Sequence, residues 1–180
     1  MKKIILIVVA ALATYMSSAA SINWKTSSSG GKVYGDATTV LASATAYLID
    51  ASVLSQADLA AAISGGKTFA EVTSGKTLDS ASVSDGKINK TFETSAYAAE
   101  ATPNFYVAVL NGDNYYASDS VTATISGVGD TTVQYKLSAG TKAADAWKDA
   151  TGTGGGVPEP TSGLLLLVGG ALLALRRRRA

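Results

Sequence analysis

One stretch past the middle of the chain, NFYVAVL at positions 104–110, limits the fold more than any other. A continuous apolar run of this length, rich in aromatic and β-branched residues, reads as a buried strand. Asn111-Gly112-Asp113-Asn114 follows as a tight turn, and residues 115–118 begin the return strand. Further on, Val121, Ala123 and Ile125 alternate with Thr122 and Thr124, and Val133, Tyr135 and Leu137 alternate with Gln134 and Lys136. Both are expected as half-exposed strands, separated by Gly127-Val128-Gly129-Asp130.

Upstream, residues 38–50 form a long strand candidate. Val40, Ala42, Ala44, Ala46 and Leu48 share one face, and Leu41, Ser43, Thr45 and Tyr47 the other. The segment SQADLAAAISGG predicts a helix: Ser55 as N-cap, Asp58 near its positive end, Gly65-Gly66 as its stop, and Leu59, Ala62 and Ile63 toward the core. The pattern weakens over 67–95, where Ser84-Asp85-Gly86-Lys87 reads as a turn between strands. Residues 142–150 are expected as a short final helix after Thr141, with Ala143 and Trp147 on one face. The predicted class is therefore mainly β: an antiparallel sandwich or barrel-like domain with one short helix, plus a C-terminal hydrophobic helix.

The two ends carry a different kind of information. Lys2 and Lys3, an apolar run over 4–13 and the small residues Ser18-Ala19-Ala20 have the order of a secretory signal peptide, cut between Ala20 and Ser21. At the other end, the run over 164–175 extends about 18 Å as a helix, against a hydrocarbon core of about 30 Å. Pro160 suits the first helical position, where its missing N–H costs nothing. Arg176, Arg177, Arg178 and Arg179 form a stop-transfer cluster that keeps the extreme C-terminus cytoplasmic.

Pro158-Glu159-Pro160, the short apolar helix and the arginine cluster together resemble a PEP-CTERM sorting domain. The resemblance covers about the last 24 of 180 residues. It implies a Gram-negative exported protein in which Pro158, Glu159 and Pro160 are the sorting motif. It also implies an exosortase-like processing enzyme that acts near them. The organisation expected is a signal peptide over 1–20, a β-rich extracytoplasmic domain over 21–150, a Gly-rich linker over 151–157 and the sorting tail over 158–180. A plain tail anchor that is never cut is the alternative. Signal peptidase and the membrane, through the C-terminal helix, complete the expected partners.

Composition narrows the chemistry. Cysteine and histidine are absent, which removes disulfides, the usual ligands of zinc, copper and haem, and every His-based general acid or base. Residues 21–150 hold nine lysines, no arginine and thirteen acidic residues, a formal charge of −4. An acidic, Arg-free domain argues against nucleic acid. The total of +1 is set by the two ends.

Four constellations remain. Asn111, Asp113 and Asn114, with Asp119 nearby, offer oxygen atoms to Ca²⁺, though hairpin turns require the same residues. Tyr97, Tyr106, Tyr115, Tyr116, Tyr135, Trp24 and Trp147 could make an aromatic platform for sugar rings, or simply pack on sheets. Asn89-Lys90-Thr91 fits an N-glycosylation sequon. Neither a carboxylate pair nor a Ser–Lys pair stands out from the background of acids, serines and lysines, so no catalytic residue and no cofactor are expected. The expected role is a non-enzymatic structural component of the cell surface or extracellular matrix. A carbohydrate-binding module, with exopolysaccharide as partner, is the alternative.

Overall fold

A computed structural model describes residues 19–153. The chain runs β1 (Ala20–Thr26), β2 (Ser43–Asp50), α1 (Gln56–Ser64), α2 (Phe69–Thr73), β3 (Thr77–Ser84), β4 (Asn89–Thr94) and β5 (Asn104–Asn111). It continues through β6 (Asn114–Ala117), β7 (Val121–Thr122), β8 (Asp130–Tyr135), α3 (Ser138–Lys142) and β9 (Lys148–Asp149). The described residues are mainly β, in two sheets with three short helices. None of these helices is long and apolar enough to cross a membrane. The expected C-terminal hydrophobic helix and sorting tail over 158–180, and residues 1–18 of the expected signal peptide over 1–20, lie outside the described residues.

The smaller sheet has the order β4-β1-β8, and the larger runs β3-β2-β5-β6-β9, with β7 also on β5. β5 sits inside the larger sheet and is buried on both sides. Phe105, Val107 and Val109 point to one core with Ala46 and Leu48 of β2, Ile22 and Trp24 of β1, and Val133 of β8. Both sheets thus share one apolar core. Tyr106 and Ala108 point the other way, into a second core with Ile49, Leu59, Ile63, Phe69 and Val72, where α1 and α2 cover the larger sheet.

Local signals explain the helices. Ser55 Oγ accepts from the Asp58 N–H at 3.1 Å, Leu59 and Ile63 are buried, and Gly65 closes the helix, as the sequence predicts. α2 starts on a reciprocal capping box. The Glu71 N–H donates to Thr68 Oγ1 at 3.3 Å, and the Thr68 N–H donates to Glu71 Oε2 at 2.7 Å.

Several expectations change. The sheets are not wholly antiparallel: β1 and β8 pair in parallel, from Ser21↔Asp130 to Thr26↔Tyr135. A parallel pair needs a crossover rather than a hairpin, and here nearly the whole fold forms it. Two further helices, α2 and α3, join the one that SQADLAAAISGG predicts. The strand expected over 38–50 begins only at Ser43, and Leu41, assigned to the other face, joins the shared core from the preceding loop. The 121–125 strand shortens to Val121–Thr122, while Ala123 and Ile125 stay buried by bonding to the backbone of Pro103 and Ala101. The final helix is absent over 142–150. Asp145 turns the chain at φ 60°, Trp147 Nε1 donates to the Tyr34 carbonyl at 3.1 Å, and Lys148 and Asp149 pair with Tyr115 and Asn114 of β6. These tertiary contacts outweigh a helix-like composition. Thr151 and Gly152, the first residues of the linker expected over 151–157, are partly or fully buried against the body. Gly152, at φ 74°, lies so close to Lys67 that a Cβ would approach its carbonyl oxygen to 2.7 Å.

A polar bridge crosses the shared core. Trp24, wholly buried, donates its indole N–H to Asp79 Oδ2 at 2.9 Å. Lys90 Nζ meets Asp79 Oδ1 at 2.8 Å, so one carboxylate of the larger sheet ties two strands of the smaller. The Tyr135 and Tyr106 hydroxyls, in contrast, are buried without a partner among the described residues, and burial raises both pKa values above the usual phenol range. Trp24→Phe, which removes the donor and part of the ring, is expected to cost about 2–4 kcal/mol in urea unfolding. Tyr135→Phe removes only an unpartnered hydroxyl and should stay within about 1 kcal/mol of the wild type, or gain stability.

Candidate functional site

The described residue that most resembles a ligand contact is Trp147. It lines a groove between residues 35–37 and 141–147, together with Asp36, Lys142 and Asp145. Asp36 Oδ1 accepts the N–H groups of Thr38 at 2.8 Å and Thr39 at 2.7 Å. These bonds bring its pKa down to about 2, so it is a fixed anion. Facing it, Lys142 Nζ sits 4.0 Å from the centre of the Tyr34 ring, a cation–π contact that restrains an otherwise mobile ammonium.

Trp147 is half-buried, its N–H committed to Tyr34 and its ring 6.1 Å from that of Tyr116. Thr141 fixes the groove floor, accepting the Tyr34 N–H at 3.1 Å and donating to the Leu137 carbonyl at 2.7 Å. Asp145 holds a left-handed conformation uncommon for a non-glycine residue. The groove thus combines part of an aromatic ring, two carboxylates and an ammonium. That mixture can accept the apolar and hydroxylated parts of a small polar ligand.

A second depression lies beside Asp50 and Tyr97. Asp50 is buried, and Tyr97 donates to its Oδ2 at 2.6 Å while the N–H and hydroxyl of Ser52 donate to Oδ1 at 2.8 and 2.7 Å. This cluster is a closed clamp, its carboxylate already satisfied by protein groups.

The sequence-predicted residues are dispersed. Ala20 and Ser21 lie at the start of β1, with Ala20 buried and paired with Thr94. Asn111, Asp113 and Asn114 form the tip of the β5–β6 hairpin, where Gly112 takes φ 56° and the Asp113 carbonyl accepts from Ala150. Asp119 follows β6, about 17 Å away at strand spacing, so the candidate calcium ligands are not brought together. Among the described residues no group of three or more acidic side chains could hold a metal ion.

Trp24, Tyr106, Tyr115 and Tyr135 are core residues. Tyr97, Tyr116 and Trp147 are half-buried, and only the last two meet. The seven aromatic residues therefore form no exposed line. Asn89 and Thr91 of the sequon are exposed on β4 and accept from Asn23 Nδ2 at 3.3 and 2.7 Å. Pro158, Glu159, Pro160 and Arg176, Arg177, Arg178 and Arg179 lie outside the described residues.

Sequence reasoning missed Tyr34, Asp36 and Lys142. Gly35-Asp36-Ala37-Thr38-Thr39 is a readable turn signal, but its meeting with residues 141–147 has no local trace. Comparison with protein-family profiles, with curated proteins and with solved structures finds no match to this chain.

The Asp50 clamp has a pH signature. Burial opposes its charge, yet the bonds from Tyr97 and Ser52 outweigh that penalty and hold the carboxyl below its ordinary value of 3.8. A lowered native pKa means that the stabilisation is complete above the unfolded pKa of about 4. It is lost as pH falls through the native value. Asp50→Asn should cost about 1–3 kcal/mol at neutral pH and flatten the decline of melting temperature below pH 4. An equally steep acid decline in the variant would remove Asp50 as its source.

Proposed function

We propose that this chain is an exported, non-enzymatic protein of the bacterial cell surface or extracellular matrix, with a β-sandwich body. The observation that carries this reading is the ordered tail: Pro158-Glu159-Pro160, an apolar run too short for a comfortable permanent span, and four arginines, opposite an N-terminal export signal. Lys2, Lys3 and the apolar run over 4–13 engage the export machinery. Residues 164–175 with Arg176, Arg177, Arg178 and Arg179 arrest the chain in the inner membrane, and Pro158-Glu159-Pro160 marks it for release or transfer.

The body supports this reading in two ways. It contains no cysteine, so folding after export needs no disulfide. β1 begins at Ala20, so a cut before Ser21 removes one residue of the strand and leaves its other pairings intact. That cut precedes folding, because in the finished sheet Ala20 is buried. The new ammonium at Ser21 then stands in register with Glu93 on one side and Asp130 on the other, two carboxylates that favour its charge.

Intact mass of the protein from native cells tests the proposal. The expected species starts at Ser21 and ends near Pro160. A mass that retains the four arginines would overturn processing and leave the plain tail anchor.

The groove at Trp147 favours a second reading, carbohydrate binding by the same body. The chain has two tryptophans, and Trp24 is wholly buried, so quenching of the emission by neutral oligosaccharides reports on Trp147. Saturable quenching is expected under this reading, and its absence across a panel of sugars removes it.

A further inference from the structure

On the side of the smaller sheet away from the core, Lys25, Lys32 and Lys87 line one groove with Thr26, Ser27 and Gln134. Among the described residues, no acidic side chain lines it. Among the described residues these three lysines make no ion pair, although the body carries more acids than lysines. Their positions are set by the backbone. The Thr26 N–H donates to the Ile88 carbonyl at 3.0 Å, and the Val33 N–H donates to the Gly86 carbonyl at 2.8 Å. Gly86 turns at φ 69°, where a Cβ would come within 2.7 Å of the Val33 carbonyl oxygen. Only glycine allows the turn to press this closely, which brings Lys87 beside Lys32. Lys25 pairs in register with Asn89 on one neighbour and Gln134 on the other.

The groove opens onto a wholly polar sheet face. Side chains that face away from the core lie in cross-strand rows: Asn89-Lys25-Gln134, then Thr91-Asn23-Thr132, then Glu93-Ser21-Asp130. The face is basic at one end, amide and hydroxyl in the middle and acidic at the other, over about 13 Å of strand.

We infer that this groove binds an acidic polysaccharide, a sugar polymer bearing carboxylate or sulfate groups. The lysines take its anionic groups, and the amides and hydroxyls of the adjoining row take sugar hydroxyls. An apolar partner finds no apolar side chain among the described residues of the groove, only lysine stems and backbone. Nucleic acid finds no aromatic side chain for base stacking and no arginine, and meets a body of formal charge −4. The choice of polysaccharide rests on the exported reading. Its test is separate from the intact mass, since either result can fail while the other holds.

The test uses the full chain in detergent on immobilised polygalacturonate, with dextran as the uncharged control and single-stranded DNA as competitor. Lys25→Gln/Lys32→Gln/Lys87→Gln is compared with Lys67→Gln/Lys76→Gln/Lys148→Gln, which has the same net charge with exposed lysines removed elsewhere. The groove variant should bind about tenfold more weakly, and its slope of log affinity against log salt should fall by about 2. The control variant should bind like the wild type. Lys25→Arg/Lys32→Arg/Lys87→Arg should retain binding, separating lost charge from lost folding. Equal loss in both glutamine variants, no loss in either, wild-type retention on dextran equal to that on polygalacturonate, or DNA that binds the groove more tightly than polygalacturonate would each overturn the inference.

Discussion

The fold depends on β5 having no face that can meet water. Phe105, Val107 and Val109 alternate with Tyr106 and Ala108, and all five are buried. Each large side chain of this set is worth about 1.5–3 kcal/mol when removed from water, so exposing either side would forfeit a substantial part of a marginal total stability. Two layers must therefore cover the larger sheet. The smaller sheet supplies Ile22, Trp24 and Val133 on one side, and α1 and α2 supply Leu59, Ile63, Phe69 and Val72 on the other. Those layers can be thin because each need carry only one apolar face, which is why β1 and β8 alternate while β5 does not.

Buried polar groups then fix how the layers join. Asp79 takes both the Trp24 indole and Lys90, setting the smaller sheet against β3 at one place. Ser118 repairs the gap between β6 and β7: its hydroxyl accepts the Val107 N–H at 3.0 Å, and its own N–H donates to the Val107 carbonyl at 2.9 Å. A side chain thereby completes a ladder that the backbone alone would leave open. Apolar burial is non-directional and would tolerate a sliding of layers. The directional bonds of Asp79 to Trp24 and Lys90 hold the two sheets in one relative position, and those of Ser118 hold the register within the larger one.

The parts legible in the sequence are those whose causes are local. NFYVAVL announces β5, and Ser55 to Gly66 announces α1 with its cap and stop. Thr68-Phe69-Ala70-Glu71 is an equally local signal, a capping box, but it is followed by only one turn of helix and gives no periodicity. The failure over 142–150 has the opposite origin. Alanine, lysine and aspartate suit a helix, yet Trp147 gains more by reaching Tyr34 and Tyr116 than the segment gains by helical bonding. The parallel pairing of β1 with β8 joins residues more than a hundred positions apart, and no period or turn residue encodes such a neighbour. Both grooves arise in the same way, from loops brought together by distant pairings, so neither could be read before the fold.

Charge segregation bears on the polysaccharide binding proposed for the body. Lysine is a compact, strongly hydrated point charge without the planar fork of arginine, so in the proposed groove each of Lys25, Lys32 and Lys87 would make a weak, salt-sensitive contact with an anion. The surrounding acidity weakens long-range attraction further and leaves only short-range capture within about a Debye length, roughly 8 Å at physiological salt. A single anionic sugar would be held poorly by such a groove. A polymer with many repeated anions is different, because dissociation from one repeat leaves the next within reach and the effective concentration stays high. Several bodies spaced along such a polymer would repel one another through their net negative charge while each remained attached through its own groove. Weak local attraction combined with general repulsion would give a hydrated, rearrangeable network rather than a precipitate, the physical behaviour that the proposed matrix role requires.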